Sequence, residues 1–306
     1  MSDTEIILHH FDASPFAEKV RVALGIKGLD WRSVEIPMVM PKPDLTALTG
    51  GYRKTPVMQL GADVYCDTQR IARELEARFD GPALYPEGQQ ALCEVIAAWS
   101  DATLFVPGAG LSMGTNLDLP EPILADRFAF FDFLDRDTLP QRLPALYAQF
   151  RAGLQRIDDM LSDGRPFLLG EMVSWADAAC YAPVWMCRGN IADADTLLEH
   201  MPSLAQWEQK LLALGHGRRS SLTADAALAI SRQSQSRVRQ EIAETALPHL
   251  EPGVSVEVSP EDYGAVPVAG RLLRLTQHEV VLARSDERAG DVVVHFPRLG
   301  CKVVAI

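Results

Sequence analysis

Three short segments carry residue types suited to holding charge on a small ligand. Ser14-Pro15-Phe16 sets a hydroxyl directly before a proline, the pairing favoured at a helix N-cap and first helical position. A hydroxyl there stands beside backbone N–H groups and the positive end of a helix dipole, an environment that favours an anion such as a thiolate. A free thiol with a pKa of about 8.5 is only about 3% ionised at pH 7. Lowering that pKa by about two units requires roughly 2.7 kcal/mol. One charge-assisted hydrogen bond of about 1.5–3 kcal/mol with a dipole contribution of about 0.3–1 kcal/mol can supply it. Ser14 is equally an ordinary helix cap, and its position alone does not choose between the two roles.

Thr55-Pro56 lies between a polar loop and a strand. A cis bond there makes a tight turn and exposes the Thr55 backbone to an extended, peptide-like ligand; a trans proline at a strand start is the plain alternative. Asp67-Thr68 opens a helix. It is either a cap or a place where N–H groups and the Thr68 hydroxyl take a carboxylate while Asp67 meets an ammonium. Lys54 is a candidate for a second carboxylate, or a solvated loop lysine. Phe11, Phe105 and Met113 are candidate linings of an apolar pocket, although residues of this kind are more often simple core. Tyr181 and Trp185 read as helix packing.

No metal site is expected. The five cysteines form no CxxC pair, and adjacent His9 and His10 point to opposite faces of a strand. His278 and His295 have no partner at an informative spacing.

The elements that must position these residues alternate in periodicity. Ile6-Ile7-Leu8 is a short buried-type strand, and Pro15 to about Ile26 carries a helical apolar stripe ended by Gly28. Trp31 to Ile36 is a second strand, followed by a polar, proline-rich stretch through Gly51. Pro56–Leu60 and Val64–Cys66 form a hairpin around Gly61-Ala62-Asp63, and Asp67 to Phe79 is an amphipathic helix. The order β-α-β-loop-β-β-α predicts a small mixed sheet.

Residues 89 to about 219 read as all-helical, with patterns at 89–106, 121–137, 144–162, 174–187 and 203–214. Pro107-Gly108-Ala109-Gly110 reads as a loop lining a cleft, and Ser174-Trp175-Ala176-Asp177 has the capping-box form. Ala224 to Leu247 reads as one more helix, closed by Pro248. Short β-branched runs between Gly253 and Ile306 predict an antiparallel sheet or barrel of about five strands. The expected divisions are 1–80, 89–219 and 220–306.

At 306 residues with a net charge of −12, most of it in the middle segment, the chain suits two or three globular domains. Acidic and without a basic cluster, it is a poor nucleic-acid binder. No apolar run approaches the ~20 residues of a membrane span. Its acidic start lacks a secretory n-region, so a cytoplasmic location is the expectation.

Together, Ser14 through Arg21, Lys54-Thr55-Pro56-Val57 and Asp67-Thr68 resemble the glutathione S-transferase superfamily over about residues 5–215. The resemblance implies an α/β plus all-α chain: a thioredoxin-like glutathione-binding domain, a helical domain, and here an additional, mostly β extension. It implies glutathione as co-substrate, with Ser14 stabilising its thiolate and Phe16, Lys54, Thr55, Pro56, Asp67 and Thr68 binding the tripeptide. It also implies a small apolar electrophile and a homodimer. Asp-Thr stands where Glu-Ser is commoner, and Ser14 where omega-like members carry cysteine. A serine forms no mixed disulfide, so conjugation is favoured over thiol transfer; reduction would need Cys66. The alternative is a non-enzymatic glutathione- or peptide-binding protein that uses the β extension as its interaction surface.

Overall fold

The run Ile6-Ile7-Leu8 begins strand β1 (Ile6–His10), all of it buried, in a computed structural model that describes residues 5–242 and 250–306. A strand covered on both faces has no reason to alternate, hence the unbroken apolar run. Through helix α1 (Pro15–Ile26), β1 connects to its parallel neighbour β2 (Asp30–Glu35). On its other side β1 pairs antiparallel with β3 (Val57–Leu60), which turns into β4 (Asp63–Cys66). Helix α3 (Thr68–Arg78) follows.

The proline-rich stretch before Gly51 is not irregular throughout. Its second half is helix α2 (Pro43–Thr49). Pro43 opens it, where a missing N–H costs nothing, and Gly50, at φ +81°, closes it by donating its N–H to the Thr46 carbonyl.

The chain divides into two compact units. The first comprises the described residues of Met1–Ala17, Asp30–Glu74 and Arg219–Ile306; the second comprises Glu18–Leu29 and Leu75–Arg218. The second is helical: α4 (Gln90–Trp99), a π-helical turn (Ser100–Leu104), α5 (Phe105–Thr115), α6 (Glu121–Phe130), α7 (Leu139–Met160), α8 (Trp175–Asn190), α9 (Ala194–Leu198) and α10 (Pro202–Leu214).

The expected loop at Pro107–Gly110 lies inside α5. Pro107 cannot donate to the preceding turn, and that turn is the widened π segment, where insertions of this kind are accommodated. The small residues serve close packing: a Cβ on Gly108 would stand 2.7 Å from Met186 Cε, and one on Gly114 2.3 Å from Leu143 Cδ2. The continuous stretch Gln90–Thr115, 26 residues, is long and apolar enough by composition to cross a membrane, which counting uninterrupted apolar runs overlooked. Its glycines are packed on α7 and α8, as in a core helix.

The carboxy-terminal part of the first unit departs most from expectation. Helix α11 (Ala224–Gln233), capped by Thr223, stops well short of Leu247. Glu241–Ile242 form strand β6 beside β8 (Val268–Leu275), and residues 243–248 lie outside the described residues. Strands β7 (Ser255–Pro260), β8, β9 (Glu279–Asp286), β10 (Gly290–Pro297) and β11 (Cys301–Ala305) form the expected antiparallel set.

That set is not a separate sheet. β10 pairs in parallel with β4, Val294 opposite Val64, and β5 (Arg218–Ser221) extends the other end beyond β2, so eleven strands among the described residues join one sheet. A single buried cluster includes Leu48, Val57 and Val64 from the amino-terminal elements and Leu272, Leu282 and Val294 from the extension. β5 was missed because Arg218-Arg219-Ser220-Ser221 is exposed and polar; an edge strand held by backbone bonds needs no apolar pattern.

Candidate functional site

Strand register gathers the predicted residues. His9 lies opposite Val57, and Val57 opposite Cys66. The exit of β1, the entrance of β3 and the exit of β4 therefore reach one edge of the sheet. The residues next along the chain are Ser14, Thr55-Pro56 and Asp67-Thr68.

Ser14 is buried, and its Oγ accepts the Ala17 N–H at 3.2 Å. It is therefore the N-cap of α1, and its hydroxyl hydrogen is directed elsewhere than the helix. The Thr55–Pro56 bond is cis. The β3 ladder begins at Val57, so the peptide groups of Thr55 lie outside it, while its hydroxyl donates to the His9 carbonyl at 3.4 Å. Asp67 has φ +75°, a left-handed conformation that non-glycine residues seldom adopt outside constrained or functional positions. Its carboxylate caps α3 through the Gln69 N–H at 2.9 Å. The Thr68 hydroxyl, at the first position of α3, has no hydrogen-bond partner among the described residues.

Lys54 is neither solvated nor open. Its side chain is 12% exposed and ion-paired with Asp262, and its ammonium lies 4.4 Å from the ring centre of buried Tyr263. Both partners follow β7, whose last residue, Pro260, is opposite Cys301. The extension thus reaches the same sheet edge. A separation of 208 residues leaves no spacing from which the Lys54–Asp262 pair could be read. Lys42 was also passed over: it is buried just before α2, with its ammonium 5.5 Å from the Phe11 ring centre.

The three proposed pocket residues are buried, one in the first unit and two in the second. Phe11 joins the core of the first unit. Phe105, against Phe131 at 5.8 Å, and Met113 belong to the second. Tyr181 packs edge-on to Trp207, and Arg21 lies over Trp185, as expected of helix packing. Cys66 ends β4 beside Asp67 but is wholly buried, and burial pushes its pKa well above the ordinary thiol value. A thiol so placed is a poor nucleophile.

The histidines divide differently from expectation. His9 bonds Gln59 and His10 bonds Ser33; burial lowers the His9 pKa to about 4. His10, Asp12 and Glu35 bring ligand-type atoms within 4.8 Å of one another. The Arg219 guanidinium is already there, 2.8 Å from Asp12 and 3.8 Å from Glu35. His295 does have partners: Asp63 at 2.9 Å, Glu279 at 3.5 Å and the Tyr65 ring stacked at 4.3 Å. Burial lowers its pKa, but Asp63 and Glu279 outweigh that and raise it overall. This buried pairing joins β10 to β4.

Comparison with known proteins agrees with the geometry. Models of the glutathione S-transferase N-terminal and C-terminal domains match residues 8–94 and 140–210. A GST-like protein from Pseudomonas syringae is 36% identical, over 99% of this chain and 100% of its own, with a TM-score of 0.81. A glutathione S-transferase from Rhodospirillum rubrum is 22% identical, over 67% of this chain and 87% of its own, at TM-score 0.54. FzlA from C. crescentus is 21% identical, over 81% and 96%, at TM-score 0.52; these two likenesses concern the fold alone. No curated protein matches the chain. Fold, domain models and a relative matched from end to end agree, and the chain belongs to the glutathione S-transferase superfamily.

Proposed function

We propose that the chain binds glutathione at this sheet edge and conjugates it to small apolar electrophiles, with Ser14 as the residue that holds the thiolate. The observation that carries this reading is the convergence of the Ser14 hydroxyl, the cis Thr55–Pro56 turn and left-handed Asp67 at one edge. Because Ser14 Oγ accepts from Ala17, its own O–H is the group left to donate, and a thiolate is an acceptor. The peptide groups of Thr55 pair with the cysteinyl backbone. Thr68 and the start of α3 take the γ-glutamyl carboxylate, and Asp67 takes its ammonium. Phe16 borders the thiol, and Phe11 supplies apolar surface near it.

The division into 1–80, 89–219 and 220–306, a homodimer and a cytoplasmic location belong to the same reading; light scattering tests the dimer. Ultraviolet titration of bound glutathione tests the mechanism. Wild type should hold the thiol about two units below its free pKa, and Ser14→Ala should restore it. An unshifted thiol in the wild type, or full turnover in the variant, rejects the role of Ser14. A protein retained on immobilised glutathione that conjugates nothing in a broad electrophile panel would instead favour a binding protein.

A further inference from the structure

On the glutathione-site reading Lys54, next to Thr55, is a cation that would meet the carboxyl-terminal end of the tripeptide, and the chain already supplies it with a carboxylate. Asp262 pairs with its ammonium while the Tyr263 ring covers it at 4.4 Å. The turn carrying both is held in place: the Glu261 N–H donates to the Gly300 carbonyl at 3.0 Å and the Val266 N–H to that of Gly264 at 2.8 Å. Asp67, Lys54, Asp262 and Glu261 share one neighbourhood around Cys301, where burial and the three acids raise the thiol to about 12 against the opposing effect of Lys54. A ligand carboxylate arriving at Lys54 meets a neutralised ammonium and stands beside Asp262. Like charges so placed disfavour one another, and discrimination built on repulsion follows.

We propose that Asp262 and Tyr263 are specificity-determining residues, which make this edge select γ-glutamyl-cysteinyl thiols whose carboxyl-terminal end carries no negative charge, such as an ester or amide. The inference rests on the glutathione-site reading and adds the identity of the favoured end group. The β extension is then part of the ligand site.

Isothermal titration of the full-length chain with glutathione and with its glycyl monoethyl ester tests this. Wild type should bind the ester at least about threefold more tightly than glutathione. Asp262→Asn, which keeps the side-chain shape, should tighten glutathione about tenfold and leave the ester within about twofold, so reversing the preference. Asp262→Ala should do the same, with near-ultraviolet circular dichroism reporting intact packing. Wild type preferring glutathione, with a ratio unmoved by Asp262→Asn, overturns the proposal while leaving the glutathione site standing. Binding of neither ligand by wild type or variants rejects both.

Discussion

Asp177 and Asp67 both act at the start of a helix, yet the fold treats them in opposite ways. Asp177, in the first turn of α8, is buried and accepts from four donors: Leu168 N at 2.8 Å, Trp207 Nε1 at 2.8 Å, Ser174 N at 2.9 Å and Ser174 Oγ at 2.7 Å. Asp67, before α3, is half-buried, sits in a left-handed conformation and caps through Gln69 N. A saturated carboxylate has no lone pair to offer a ligand, whereas one with spare acceptor capacity does. Helix-capping sequences alone look alike; what distinguishes architecture from a site is how much hydrogen-bonding capacity the tertiary structure leaves unused.

The sharpest way to break this comparison is Asp177→Ala. It strands several buried donors, and equilibrium urea unfolding should record a loss of about 3 kcal/mol or more. A loss below about 1 kcal/mol would mean that the network is ornamental. Ser14→Ala should cost about 1 kcal/mol of stability as a lost cap, while conjugation turnover at pH 7 falls about twenty-five-fold as the thiolate fraction drops from about 76% to about 3% with the restored thiol pKa. Asp67→Asn keeps the tolerance for the left-handed region and should change stability by less than about 1 kcal/mol. Its glutathione affinity, read by calorimetry, should fall about tenfold. Equal effects of that variant on stability and affinity would erase the distinction between the two helix starts.

The smallest expected effect concerns a third kind of carboxylate, one whose partner titrates. Asp63 and Glu279 raise the His295 pKa above 6.5, so the contribution of charged His295 is complete below about 6.5 and is lost as pH rises through its higher folded value. Glu279 runs the other way. Burial opposes its ionisation, but His295, Arg70 and Arg274 hold it near 2, so its contribution is present above about 4.5 and disappears only as pH falls towards 2. The melting-temperature difference between wild type and His295→Gln should therefore shrink from mildly acidic to alkaline pH. A difference independent of pH would show that the ring acts through stacking on Tyr65 alone.

Much of the amino-terminal site was readable because its parts are local. Ser14-Pro15 is a cap and first-turn pair, Thr55-Pro56 a turn signal and Asp67-Thr68 a helix start, each defined by its immediate neighbours. The Pro107–Gly110 segment misled for the opposite reason. Proline and glycine break isolated helices, but here a π turn and the close approach of Met186 to Gly108 and of Leu146 to Gly110 make the same residues suitable for helix interior. Helix α2 was hidden by prolines that end up beside or at its first position, where they do no harm.

Local composition determined most of the strands and helices and the three segments at the candidate edge, because capping, periodicity and turn chemistry act over a few residues. Only the tertiary structure decided that β10 would pair with β4, that His295 would find Asp63, and that Asp262 would pair with Lys54. Backbone pairing is largely indifferent to side-chain type, and an ion pair across some two hundred residues leaves no mark on spacing. Such contacts exist only once the chain has folded far enough to bring two distant and individually unremarkable charges to the same place.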